Sequence, residues 1–263
     1  MKITSLQENL KSGLIAVSHI AGKNVNLPIL NNILIDASEG NIKLISTDLE
    51  IGITAKVRGK VEKEGVFTVD SKVITDFISL LPNQKVEINQ KDLELSVVSD
   101  NYKTKIKGQN AEEYPLIPNV EKTDSYKVDP EDFRQALQQV VFAVSNSETR
   151  IELNGVLFNF TNGNLIMAAT DSYRLAEKKI KIKNDNGKES KVIVPAKTLQ
   201  EVVRLLSNIK AEELGAEHKE IEFYITDNQI LFTFGTIELV SRLIEGQYPE
   251  YEQIISLKSQ TQV

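Results

Sequence analysis

Two aspartates, Asp48 and Asp171, come nearest to a working pair of carboxylates in this chain. Paired carboxylates can divide acid and base roles when their surroundings push their pKa values apart. Both, however, follow a threonine at the same place in a repeated run, where an aspartate is suited to accept backbone N–H bonds in a turn. The structural role is the stronger reading. With two histidines, His19 and His218, and no cysteine, neither a zinc site nor a histidine-based triad is well supplied. His19 ends an apolar helical run and His218 sits in a polar loop. Gly22-Lys23 and Gly187-Lys188 lack the following Ser/Thr and the upstream glycine of a phosphate-binding loop. No nucleophile, base and orienting group stand out as a set. The residues point away from catalysis and supply no metal or cofactor site.

What remains chemically distinctive is TDSYRL at 170–175, a polar strand end carrying an aromatic ring and a guanidinium. Its counterpart, TDLEIG at 47–52, reads as an ordinary strand opening. Duplicated scaffolds keep their core and diverge where one copy acquires a task. Ser172, Tyr173, Arg174 and Leu175, with the nearby QYPEY at 247–251, therefore mark either a peptide pocket or a decorated surface.

The repeat behind this comparison is long. LNNILIDASEGNIKLISTD at 30–48 aligns without a gap to LNGVLFNFTNGNLIMAATD at 153–171, at an offset of 123 residues. Asn162-Gly163 in the second copy is a strong signal for a two-residue hairpin turn. Leu10, Leu14 and Val17 keep the same offset to Phe133, Leu137 and Val140, and a Tyr-Pro pair closes each unit at 114–115 and 248–249. A period this long is a duplicated domain, not a solenoid unit.

Spacing predicts a helix over 6–18, with Ser5 and Glu8 as a capping box. A second helix opens at Asp70-Ser71, with Val73, Ile74, Phe77, Ile78 and Leu81 as its buried face, and Pro82-Asn83 stops it. Strands are expected at 51–61, 66–69, 85–89, 93–99 and 102–107. Residues 112–125, with two prolines, form the best linker. Asp129-Pro130-Glu131 then starts a helix burying Phe133, Leu137, Val140, Val141 and Val144. Strands at 175–183 and 191–194 precede a helix over 196–209, burying Leu199, Val202, Val203, Leu206 and Ile209. Strands at 221–225, 229–234 and 238–243 complete the second unit. Domains are thus expected at 1–122 and 123–255, with 256–263 opening a segment that has no periodicity of its own.

With 41% hydrophobic and 26% charged residues, the chain is a globular one with a core for each unit. No run approaches the roughly 18 apolar residues of a membrane span, and the N-terminus lacks a signal-peptide apolar region. The sequon at Asn159 falls mid-strand and reads as chance. A net charge of −6 argues against a sequence-specific DNA reader, because tight phosphate binding calls for a basic protein.

The runs LPILNN at 27–32, LNG at 153–155, TDSYRLA at 170–176, VIVPAK at 192–197 and EGQYPEY at 245–251 resemble the β subunit of bacterial DNA polymerase III, the replicative sliding clamp. The resemblance covers the whole chain in order. It implies an α+β fold of duplicated DNA-clamp domains, each with two helices lining a central hole and β-sheets outside. It implies a cytoplasmic, non-catalytic processivity factor that encircles duplex DNA nonspecifically, as a homodimer of three-domain chains. An acidic ring can hold DNA by topology, and weak phosphate contacts permit sliding. By resemblance, Lys11, Lys23, Lys72, Arg134, Lys197 and Arg204 face DNA. The family's partners, the polymerase III α subunit, the clamp loader, and other polymerases and repair proteins, insert a short linear motif into a pocket. Here its matching positions are Leu153, Thr170, Ser172, Tyr173, Arg174, Leu175, Pro249 and Ile254. Tyr173 stands where a histidine is common and Gln253 where a basic residue can occur, which implies a narrower, less positive pocket. The family's third domain, which completes the pocket and the ring interface, is expected to be missing from this chain. Two other readings stay open: a two-domain clamp closing six domains as a trimer, and an enzyme on a duplicated α+β scaffold.

Overall fold

The computed structural model describes residues 1–22, 27–118, 120–122, 125–184, 189–208 and 220–255. The first unit runs β1 (Lys2–Leu6), α1 (Gln7–Ser18), β2 (Asn32–Ser38), β3 (Asn41–Thr47), β4 (Ile51–Val57), β5 (Gly59–Lys63), β6 (Gly65–Asp70), α2 (Ser71–Leu80), β7 (Lys85–Lys91), β8 (Glu94–Ser99) and β9 (Tyr102–Gln109). The second repeats that order, without a counterpart of β5 among the described residues, with β10 (Ser125–Val128), α3 (Pro130–Val140), β11 (Gly155–Thr161), β12 (Asn164–Thr170), β13 (Leu175–Lys181), β14 (Ser190–Pro195), α4 (Ala196–Asn208), β15 (Ile221–Ile225), β16 (Gln229–Phe234) and β17 (Ile237–Arg242). The fold is α+β, two like units with a pair of packed helices in each, α1 with α2 and α3 with α4.

The repeated hairpins form as their residues dictate. Glu39 and Gly40 have φ of 52° and 72°, and Asn162 and Gly163 have 48° and 70°; two positive φ values in succession match the right-handed twist of the flanking strands. Asp70 caps α2 by accepting the Val73 N–H at 2.8 Å. Asp129 caps α3 by accepting from Glu131 and Asp132 at 3.0 and 3.2 Å, with Pro130 in the first turn.

Three expectations need correction. Each unit opens with a strand, β1 or β10, too short to show a period in the sequence. Ser5 lies in β1, and its hydroxyl donates to the Arg58 carbonyl at 2.5 Å, so no capping box forms at α1. On α2, Ile74 and Ile78 are fully buried, but Phe77 is half-buried and Val73 is 49% exposed, so the apolar face is narrower than its spacing suggested. Ile209, at the expected end of α4, lies outside the described residues, as does His218.

The sheets bind the units together. One runs β10-β15-β16-β17-β4-β3-β2-β6-β9-β8-β7-β1-β5, and the other β13-β12-β11-β14. The seam is the antiparallel β17–β4 ladder, from Ile237 opposite Ala55 to Ser241 opposite Ile51. The linker packs rather than floats: Tyr114 and Val120 are buried, and Ile117 covers Gly52, where an added Cβ would lie 2.8 Å from its Cδ1.

Candidate partner site and inner-face charges

The Thr-Asp pair builds the same turn in both units. Thr47 Oγ1 donates to the Ile51 carbonyl at 2.8 Å and accepts the Leu49 N–H at 3.0 Å; Asp48 Oδ1 accepts the Glu50 and Ile51 N–H groups at 3.1 and 2.8 Å. In the second unit Thr170 Oγ1 donates to the Arg174 carbonyl at 2.8 Å and accepts from Ser172 at 3.1 Å; Asp171 Oδ1 accepts from Tyr173 and Arg174, both at 3.0 Å. The third residue has φ of 78° at Leu49 and 77° at Ser172. Both aspartates are therefore turn formers, as the repeat implied. Those N–H bonds, with the Arg174 side chain at 2.9 Å, hold the Asp171 carboxyl below its ordinary range.

Beneath the second turn lies an apolar cluster separate from the main core. Leu153, Leu157, Ala168, Ile193, Tyr248 and Tyr251 form it, with Leu175 and Ile244 half-buried against it. The structure brings Leu153, Thr170 and Leu175 together there, with Leu153 and Thr170 buried and Pro249 half-buried alongside. Tyr173 and Ile254 stand outside it, 99% and 74% exposed. Arg174 lies over the exposed Phe142 ring at 5.5 Å from its centroid, and Arg150 donates to Ser172 Oγ at 3.0 Å. Phe142, Arg150 and Ile244 were missed from the sequence. Phe142 carried a faint signal, since it stands 123 residues after His19 in the repeat.

The expected inner-face cations have unequal surroundings. Lys72 is exposed and Lys11 half-buried, and neither makes an ion pair among the described residues. Arg134 is held on its own helix by Glu131, at 2.6 Å, and by Gln138; Arg134 and Gln135 together keep the Glu131 carboxyl down at about 2. Lys197 pairs with Asp48 across the seam. Arg204 donates to the Ile15 and Ala16 carbonyls of α1 at 3.2 and 2.7 Å. Lys23 lies outside the described residues. Lys11 and Arg204 share a crevice of about 430 Å³ between α1 and α4. No group of acids and histidines among the described residues could hold a metal, and no described helix is long and apolar enough to cross a membrane.

Two like α+β units joined sheet to sheet, each with its helix pair, are the duplicated architecture of a DNA clamp. Residues 1–118 match the family model of the DNA polymerase III beta subunit N-terminal domain, and residues 127–250 that of its central domain. The chain belongs to the DNA polymerase III beta subunit family. It is 32% identical to the beta sliding clamp of Staphylococcus epidermidis over 85% of its own length and 59% of the relative's. Against the Staphylococcus aureus beta sliding clamp the identity is 31%, over 94% and 64%. The DNA polymerase sliding clamp of Bacillus subtilis superposes with a TM-score of 0.89 at 27% identity, covering 98% of this chain and 68% of that one. The DNA polymerase III beta subunit of Thermotoga maritima gives 0.86 at 26%, over 97% and 68%. The chain thus spans about three-fifths of the length of the curated relatives it matches.

Proposed function

We propose that this chain carries the first two domains of a sliding clamp, divided near residue 122, and that the assembled ring encircles duplex DNA in the cytoplasm as a non-catalytic processivity factor. The observation that carries the reading is a contrast between repeat positions. Leu205 of α4 is 1% exposed at the seam, whereas Leu80, at the same place in α2, is 85% exposed. The seam joins β17 to β4; the corresponding strands are β9, which pairs with β6 through Gly108 and Gln109 and leaves that side open along 102–107, and β13, an edge of the four-stranded sheet. Each end therefore presents half of a seam, which suits head-to-tail closure as a homodimer of three-domain chains. The same halves also suit three two-domain copies.

Lys11 and Lys72 are the proposed DNA-facing cations best placed to act through space, with Arg134, Lys197 and Arg204 committed to neighbours. In this reading the turn at 170–175 with Leu153, Pro249 and Ile254 receives a short linear motif of the polymerase α subunit, clamp loader and repair proteins. Apolar burial over Leu153 and Leu175 anchors the peptide, and Arg174 shapes the rim. Native mass tests the assembly. The protein at its native length should elute with six domains, and Leu80→Arg should dissociate it. A mass unchanged by Leu80→Arg would remove the seam argument.

A further inference from the structure

The seam has an inner attachment as well as its outer ladder, and that attachment is a charge cluster turned toward α1. Glu201 is 4% exposed, yet it receives the Arg204 guanidinium at 2.5 and 2.9 Å and His19 Nδ1 at 2.6 Å. The same Arg204 donates to the carbonyls of Ile15 and Ala16. Those lie in the last turn of α1, where carbonyls run out of intrahelical N–H partners, and the Ile15 carbonyl is also met from within the helix, by the Ser18 hydroxyl at 3.4 Å. The Val17 carbonyl is met by the Ser46 hydroxyl at 2.5 Å, from within the first unit. No basic residue stands in the last turn of α1. The positive charge that a helix C-terminus favours is supplied instead from the other unit. Lys197 to Asp48 adds a second link across the seam.

The cluster is not part of the repeat. Ser79 stands at the position of Arg204, Asp76 at that of Glu201 and Phe142 at that of His19. We infer that Arg204, braced by Glu201, is a positioning residue that caps α1 across the seam and sets the angle between the two units, rather than a phosphate contact. A strand ladder alone acts as a hinge; a second attachment on the helix side removes that freedom. The curvature of the helix face follows from this angle. The inference rests on contacts within one chain and is independent of ring closure.

The chain has no cysteine, so Lys91→Cys and Asp227→Cys, both exposed, take a spin label on each unit. The distance distribution between them should be narrow in the parent and roughly double in width in Arg204→Gln, as for a freed hinge. Arg204→Lys keeps the charge but not the planar fork that spans two carbonyls and a carboxylate, so it should broaden nearly as much. Lys72→Gln should leave the width unchanged. A lower melting temperature with an unaltered distribution would mean that Arg204 only adds stability. A parental width in Arg204→Lys would mean that only its charge matters. Either result overturns the inference, and if Arg204→Gln fails to fold, Arg204→Lys decides it alone.

Discussion

The hydroxyl of Tyr248 accepts the backbone N–H of Thr170 at 3.1 Å, tying the end of the second unit to the turn that crowns the apolar cluster. Tyr114 is placed alike in the first unit, its hydroxyl facing the Thr47 backbone and donating to the Asn32 carbonyl at 3.3 Å. The recurring Tyr-Pro pair is thus a latch on the Thr-Asp turn. Tyr248→Phe leaves a buried N–H unpaired and should cost about 1–3 kcal/mol in urea unfolding. Burial pushes the Tyr248 hydroxyl up to about 12, against the lowering effect of the Thr170 N–H. A hydroxyl raised above its unfolded value adds stability that is complete below pH 10 and is lost as pH rises toward 12. Phenolate absorbance should show this late titration in the parent.

Asp171 works at the other end of the pH scale. Its carboxyl is held low by the Arg174 and Tyr173 N–H groups, so its contribution is present above the unfolded pKa of 3.8 and disappears as pH falls below it. Side-chain NMR should place its titration under the ordinary aspartate range. Asp171→Asn keeps the accepting oxygen and should preserve the turn, whereas Asp171→Ala should release Tyr173 and Arg174, seen as faster amide exchange.

Leu80 and Leu205 separate folding from assembly. Leu205→Ala empties a buried seam position and should cost about 2–5 kcal/mol. Leu80→Ala changes a side chain that is 85% exposed and should move stability by less than about 0.5 kcal/mol. Denaturant unfolding of the two variants side by side checks the contrast.

For the partner site, Arg174→Ala with Leu175→Ala should weaken a fluorescent clamp-binding peptide by about tenfold or more. Far-UV circular dichroism should stay parental. Unchanged peptide affinity would remove these residues from the pocket.

Much of this architecture was legible because it is written twice. The gapless alignment of 30–48 with 153–171 located both hairpins, both Thr-Asp turns and the divergence at Tyr173-Arg174. Capping chemistry located the starts of α2 and α3. What the sequence hid is long-range. β1 is five residues long, too short to show a period, and its place is set by pairing with β5 and β7, about 55 to 85 residues along the chain. Phe77 has the right spacing for the core, but whether it is covered depends on what packs beyond α2. Arg204 sits on a helix like any solvated cation, and nothing local reveals that its partners lie 188 and 189 residues away.

The central claim is topological, and retention on DNA tests it most directly. The protein at its native length, loaded onto a nicked circular plasmid by a clamp loader, should survive a high-salt wash. It should then slide off when the circle is cut at one site. Protein that washes from the intact circle, or that stays on the linear product, would contradict encirclement.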